Sequence, residues 1–271
     1  MYKAINNLFN LRKQVIRRIQ RETMNTKSVT MICALRRIVA VFCLIMGSSL
    51  TPATASTVNI QPIQVCLNDS TGCANAGLTL FGAVGNKIWA QAGMDLNFLP
   101  FQTLNNTALI NLDFDAAFPG AAAGAAAAGT VIKMLFVNTI TTCGGAGAGI
   151  FGCAWPGANG VAIADNVFAF NGGVGRLDTI AHELGHNLGL GHNDFGAGGA
   201  LNLMSDGAVR TIPGAIGDVF PDGAKTDQLT AAQITQATAS AFVVPVPGAL
   251  YLMVSGLLVL YQSAQRRAAK S

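Results

Sequence analysis

The segment Ala181–Asn193 reads AHELGHNLGLGHN and holds all three histidines of a 271-residue chain. His182 and His186 lie four residues apart. On a helix this spacing projects both imidazoles from one face, where they can share a metal ion. Glu183 follows the first of them, close enough for its carboxylate to reach a water on that ion. Gly189 permits the positive φ of a sharp turn after the helix, which brings His192 back as a third ligand. Three neutral imidazoles leave a fourth position open, as in catalytic rather than structural zinc sites. A lone buried histidine is usually a satisfied core residue; three at this spacing, with none elsewhere, are hard to read that way. Nickel, copper or iron can also bind three imidazoles, but a carboxylate beside the first ligand favours zinc-assisted hydrolysis. Zinc lowers the pKa of a bound water to about 7 and polarises a carbonyl. Glu183 is placed to take the water proton and pass it to a leaving amine.

These residues need a frame. Thr57–Leu67 alternates polar and apolar residues as a half-buried strand does. Ala76–Ala92 reads as a helix, with Leu80, Val84, Ile88 and Trp89 near helical spacing. Leu96–Leu104 reads as a second strand, and Val131–Ile140 as a buried one. Ala121–Ala128 is an Ala/Gly tract, a loop or a frayed helix. Residues 143–160 are dense in glycine and read as loop. Val161–Phe170 reads as an edge strand, a candidate for pairing with an extended substrate peptide; an ordinary sheet edge explains it equally well. Val174–Leu188 is the clearest helix and carries His182, Glu183 and His186, with Gly189 ending it. Residues 193–225 are irregular, and Thr226–Ala239 is a last helix with Leu229, Ile234 and neighbouring alanines on its apolar stripe. Strands and helices mix, so the fold class is α+β or an α/β sandwich. Asp178, one turn before His182, could orient an imidazole. More often an Asp there is a first-turn residue favoured by the helix dipole, so it stays outside the site.

Composition narrows the setting. With 51% hydrophobic and 11% charged residues, a disordered, highly charged chain is excluded. Residues 1–55 hold nine Lys and Arg against Glu22 alone, and residues 245–271 hold Arg266, Arg267 and Lys270. Residues 56–244 hold five bases against eleven Asp and Glu183. The acidic middle argues against nucleic acid as a partner. Asp218–Asp227 lacks the ordered spacing of an EF-hand loop and reads as solvated surface, which leaves calcium open. Arg36 and Arg37 precede the apolar run Ile38–Met46, and ATA at Ala53–Ala55 fits secretory cleavage before Ser56. An uncleaved N-terminal anchor is the alternative, although the run is short for a permanent span. Cys66, Cys73, Cys143 and Cys153 remain after cleavage. An even count in an exported chain suggests two disulfides. The pairs 66–73 and 143–153 are preferred because each closes a short loop. A zinc site from these four is weaker, since no CxxC spacing exists.

The string HExxHxxGxxH at His182–His192 resembles the long zinc motif of the metzincin metallopeptidases. LNLMSDG then places Met204 where that clan has its methionine turn. The resemblance implies a zinc endopeptidase with an α+β fold: a twisted mixed sheet, an active-site helix, and a smaller C-terminal part with the Met-turn and a last helix. Some metzincins carry a tyrosine two residues after the Met. Here Asp206 stands there, and Tyr2, Tyr251 and Tyr261 are the only tyrosines. Asn193 points to no subfamily, and the Cys66 neighbourhood does not match the matrixin cysteine switch. At the other end, Val244–Pro247 matches the VPxP core of the PEP-CTERM sorting signal of Gram-negative bacteria, with Val246 in place of the usual acid. An apolar segment and a basic tail follow. That resemblance implies membrane contact before processing, an exosortase-type partner and delivery to the cell surface; a simple C-terminal anchor is the alternative.

The expected organisation is a signal segment over 1–55, a catalytic domain over 56–241 and a sorting segment over 242–271. The expected function is a secreted zinc (Zn2+) endopeptidase acting on protein or peptide, with signal peptidase and the sorting enzyme as processing partners. Two other readings stay open: a surface or matrix protein that keeps the zinc site with little proteolysis, and a zinc amidase on a non-protein substrate.

Overall fold

The computed structural model describes residues 56–117, 129–147 and 149–245. In chain order the elements are β1 (Ser56–Cys66), α1 (Thr79–Trp89), β2 (Met94–Phe98), β3 (Gln102–Asn105), β4 (Asn111–Asp113), β5 (Ile132–Val137), β6 (Thr139–Thr142), β7 (Gly152–Ala154) and β8 (Val161–Ala164). Then follow α2 (Asn166–Gly173), α3 (Thr179–Asn187), α4 (Ala231–Thr238) and β9 (Val243–Pro245). The main sheet has the order β2-β1-β5-β8-β7, and β4 pairs with β6 in a separate parallel ladder. It is a mixed sheet with helices packed on it and a smaller C-terminal part, the α+β class expected from the sequence.

Strand β1 is eleven residues long and organises the sheet. On one side it pairs in parallel with β2 over Ser56–Ile60 and with β3 over Ile63–Cys66. On the other it pairs with β5 over Ile60–Gln64 and, antiparallel, with β9 over Ser56–Val58. Pro62 is tolerated in so central a strand because the break between β2 and β3 leaves no acceptor waiting for its missing N–H. Gln61 fills that break, donating from Nε2 to the Pro100 carbonyl at 2.7 Å. The expected single strand Leu96–Leu104 is therefore two strands, parted at Leu99–Phe101. Val131–Ile140 divides likewise into β5 and β6 at Asn138, whose N–H turns to the Ile110 carbonyl at 2.8 Å.

Several further boundaries differ from the sequence reading. The glycine-dense stretch 143–160 is loop except for β7. Val161–Phe170 is not an edge strand: β8 is fully buried between β5 and β7, and the chain turns helical from Asn166. The helix expected over Val174–Leu188 starts only at Thr179, and Gly175, inside the expected span, takes positive φ. The last helix opens at Ala231. Thr230 caps it, its hydroxyl accepting from the Gln233 N–H at 3.1 Å while Gln233 Oε1 accepts from the Thr230 N–H at 2.9 Å. Its buried positions are Gln233 and Ala237, the latter one of the alanines expected on the stripe; Ile234 is half-buried, and Leu229, just before the helix, packs half-buried against the core. In α1 the buried stripe is Phe81, Val84, Ile88 and Trp89, whereas Leu80 is 43% exposed. The sheet also continues beyond residue 241, since Phe242 is buried and β9 belongs to it. The Ala121–Ala128 tract, the signal segment, the apolar and basic parts of the sorting segment, and all three tyrosines lie outside the described residues. Among the described residues no helix is long and apolar enough to cross a membrane.

Both short-loop disulfides are present, Cys66–Cys73 and Cys143–Cys153. The second ties the end of β6 to β7. Closing a loop of this length removes about 2–3 kcal/mol of unfolded-state freedom in the chain-entropy picture. Replacing Cys143 and Cys153 together by alanine is therefore expected to lower the unfolding free energy by about that amount. A shift in the urea midpoint at unchanged slope would show it.

Candidate active site

Helix α3 is buried along its whole length. Trp89 of α1 donates from Nε1 to the Ala181 carbonyl at 3.2 Å. Asn187 at the other end exchanges hydrogen bonds with Gly160, and the Gly157 N–H donates to the His186 carbonyl at 2.8 Å. Past Leu188 the chain closes a Schellman turn: Gly189 N–H to the His186 carbonyl at 2.9 Å and Leu190 N–H to the Gly185 carbonyl at 3.0 Å. Gly189 takes φ +93°, and a Cβ there would sit 2.7 Å from Gln236 Nε2.

That turn brings His192 to the two helix histidines, so that one ligand atom from each lies within 4.8 Å of the others. Nε2 of His192 is 3.1 Å from Nε2 of His182 and 3.1 Å from Nε2 of His186. Around a tetrahedral zinc with Zn–N of about 2.0–2.1 Å, neighbouring nitrogens stand roughly 3.3 Å apart. His182 Nδ1–H donates to the Leu203 carbonyl at 2.7 Å, and His186 Nδ1–H to the Leu190 carbonyl at 2.7 Å. With Nδ1 protonated on both rings, as metal ligation through Nε2 requires, both Nε2 atoms present lone pairs to His192, which has at most one proton to offer them. A cation satisfies all three nitrogens at once, and the donor set fits zinc. Burial holds all three imidazoles below their usual pKa: His182 well below, His186 at about 4, and His192 lowered as well. The ligating, neutral form is therefore the resting one.

Glu183 points into a cleft of about 670 Å³ whose lining includes Phe151, Gly152, Trp155, Arg176 and Asp206. Burial pushes its carboxyl up to about 8 against the pull of Arg210 and Arg176. Strand β7 lies flush on it: a Cβ on Gly152 would stand 2.6 Å from Glu183 Cγ and 2.9 Å from Thr179 Cγ2. The strand bordering the cleft is thus β7, from the stretch read as loop, and not the segment Val161–Phe170. Met204 is fully buried beneath α3, where a Cβ on Gly185 would collide with its sulfur. Asp206, at the position of the missing tyrosine, is exposed at the cleft mouth and accepts from the Ala208 N–H at 2.9 Å.

Behind the histidines lies a charge cluster that the sequence reading left out. Asp178 is fully buried and takes Arg210 Nε on Oδ2 at 2.6 Å. Nη1 of Arg210 donates to the carbonyls of Leu203 and Ser205 and lies against Nδ1 of His182. The guanidinium thus pins the carbonyl that orients the first histidine. Asp178 makes no side-chain cap, so the dipole explanation gives way to this ion pair. Asp227 faces Asp178 from the segment before α4. One buried oxygen of each, Oδ1, lacks a hydrogen-bond donor. Burial, with Asp178 alongside, raises the Asp227 carboxyl to about 7. The available signal was scarcity: Arg176 and Arg210 are two of only five bases in the acidic middle, and both point inward.

Residues 101–193 match the model of the reprolysin-like metallopeptidase family M12B, about a third of the chain, ending one residue past His192. No curated protein sequence matches the chain. Among solved structures the chain is similar to one from a chaperone–substrate complex, at 16% identity and TM-score 0.41, over 70% of this chain and 35% of that one. It spans about a third of that protein's length. It is also similar to a zinc-dependent peptidase from Methanocorpusculum labreanum, at 13% identity and TM-score 0.39, over 66% of this chain and 100% of that one. An archaemetzincin from Methanopyrus kandleri aligns at 12% identity and TM-score 0.40, over 70% of this chain and 98% of that one.

The cluster makes two opposed mutational expectations. Asp178→Asn strands a buried guanidinium and should cost about 3–5 kcal/mol. Asp227→Asn should instead gain stability at pH 8 and little at pH 5. A carboxyl raised in the folded state contributes stability fully present below its unfolded pKa near 4, and that contribution is lost as pH rises through about 7. Urea unfolding of both variants at the two pH values checks this. The histidines act the other way: their pKa values are lowered, so the contribution of neutral imidazole is present above about 6.5 and is lost as pH falls through about 4 at His186. Metal retention, followed by equilibrium dialysis, should fail over the same interval.

Proposed function

We propose that the chain is an exported zinc endopeptidase. The observation that carries this is the convergence of three neutral imidazoles beside Glu183 in an open cleft bordered by a sheet edge. His182, His186 and His192 would hold the ion through Nε2. Zinc held there would supply Lewis acidity toward water and toward a peptide carbonyl. Glu183 takes the proton of the attacking water and delivers it to the departing amine, which breaks the C–N bond. Its burial raises its basicity, and a dication beside it draws the pKa back down, so that the carboxylate is available near neutrality. Among the described residues strand β7 carries β8 on one side only, and its other edge is the one an extended peptide would add to. Phe151 and Trp155 give that peptide apolar walls. The match of residues 101–193 to a metallopeptidase family supports the same reading.

Export is part of the proposal. Two disulfides suit an oxidising compartment, and ATA at Ala53–Ala55 offers a small-residue cleavage site before Ser56. Signal peptidase would cut before that residue. An exosortase-type enzyme would act on the segment beginning at Val244, leaving the domain at the surface of a Gram-negative cell.

Purified chain and its Glu183→Gln variant are to be compared for bound zinc and for cleavage of casein and a mixed peptide library. Zinc near one per chain in both, with turnover lowered about 10²–10⁴-fold in the variant, is expected from loss of the general base. Full activity in the variant would sink the assignment of Glu183. Zinc without cleavage in either protein would remove the peptidase reading.

A further inference from the structure

The cleft contains a second cationic group that neither ligates the metal nor carries the proton. Arg176 lies on the segment between α2 and α3 and lines the same cleft as His182 and Glu183. Its side chain is 13% exposed. Its guanidinium carbon stands 4.9 Å from the Phe151 ring centre and 5.9 Å from that of Phe170. The two rings are themselves edge to face at 5.4 Å and clamp it. One contact ties its tip, Nη2 to the Gly207 carbonyl at 3.3 Å. Its Nε is buried without a hydrogen-bond partner. The nearest carboxylate oxygen among the described residues, Asp178 Oδ1, is 3.9 Å from Nε, beyond hydrogen-bonding reach, and that carboxylate already holds Arg210.

A guanidinium this enclosed ordinarily pairs with an anion, because its planar fork of donors is costly to leave unfilled. Here the ring clamp fixes the fork's position and the cleft gives it room. We propose that Arg176 is the specificity-determining residue of the cleft and binds a carboxylate of the substrate beside the scissile bond. The carboxylate is that of an Asp or Glu side chain or of the peptide's own C-terminus. This rests on the peptidase reading of the site. The acidic charge of the domain as a whole would otherwise repel such a substrate, so one fixed cation inside the cleft selects position rather than overall charge.

The test uses the full chain loaded with zinc and carrying Glu183→Gln, so that peptides bind without being cut. Calorimetry compares four decapeptide sets: an amidated set in which one Glu is walked along a neutral sequence, the same set with Gln, the same set with Lys, and a neutral peptide with a free C-terminus. We expect the Glu peptide to bind about tenfold more tightly than its Gln counterpart at one position. Tighter binding of the free-ended neutral peptide would instead identify the terminal carboxylate as the ligand. Adding Arg176→Gln should bring the Glu/Gln ratio to about one, Arg176→Lys should keep part of it, and Arg176→Glu should invert it in favour of a Lys peptide. Loss of folding cannot produce that inversion, and zinc content checks each variant. Equal affinities in the Arg176 protein, or a preference that survives Arg176→Gln, would overturn the proposal. Cleavage of the same peptides by the Glu183 protein reports separately: preference without cleavage removes the peptidase reading and leaves the carboxylate site standing.

Discussion

Three imidazole lone pairs aimed at one point repel one another, and much of the structure exists to hold them there. Two of the rings cannot turn away, because their other nitrogens are engaged by the Leu203 and Leu190 carbonyls. One of those carbonyls comes from the turn that carries Met204, and the other from the Schellman turn that ends the helix. The third ring arrives by that same turn. A helix fastened at both ends, by Trp89 and by the Asn187–Gly160 pair, supplies the rigid base. These contacts hold the three ring nitrogens at the spacing that a tetrahedral cation asks of its ligands.

Burying charge behind such a site is expensive, and Asp178 with Arg210 repays it through connection rather than through net attraction. The pair joins the start of α3 to the chain beyond Met204, and through Asp227 it reaches the segment leading into α4. Three stretches far apart in sequence are thereby registered against one another at the histidines. Asn202 and Gln233 repeat the device one layer out, with two hydrogen bonds between buried amides. The C-terminal part has few strands or helices of its own, and these polar locks do the work that regular ladders do in the sheet.

The sequence disclosed the histidines, the glutamate and the disulfide pairs because each depends on local spacing. Periodicity of four fixes His182 and His186 on one helix face, and Gly189 marks the turn. It disclosed β1 and β5 because alternation and β-branched runs are local too. It concealed β7, since Gly152–Ala154 carries no strand propensity and is held in the sheet by β8 and by its disulfide. It concealed the inward face of α4, where a glutamine is buried because a distant asparagine satisfies it. Asp178 looked like an ordinary helix-start residue for the same reason: its partner is thirty-two positions away. Long-range polar pairing leaves no periodic trace in a single chain.

The pairing of β9 with β1 brings Ser56 and Pro245 together at one end of the sheet. Ser56 lies opposite Pro245 in an antiparallel register, so the chain enters and leaves the sheet at neighbouring points. The cleft-bordering strand β7 stands three strands away from β1, about 14 Å at the usual spacing. A load applied between Ser56 and Pro245 would meet the β1–β9 hydrogen bonds one after another, as the teeth of a zip. Peeling β9 away would free that end of the chain while β5 and β8 shield the histidines from the pull.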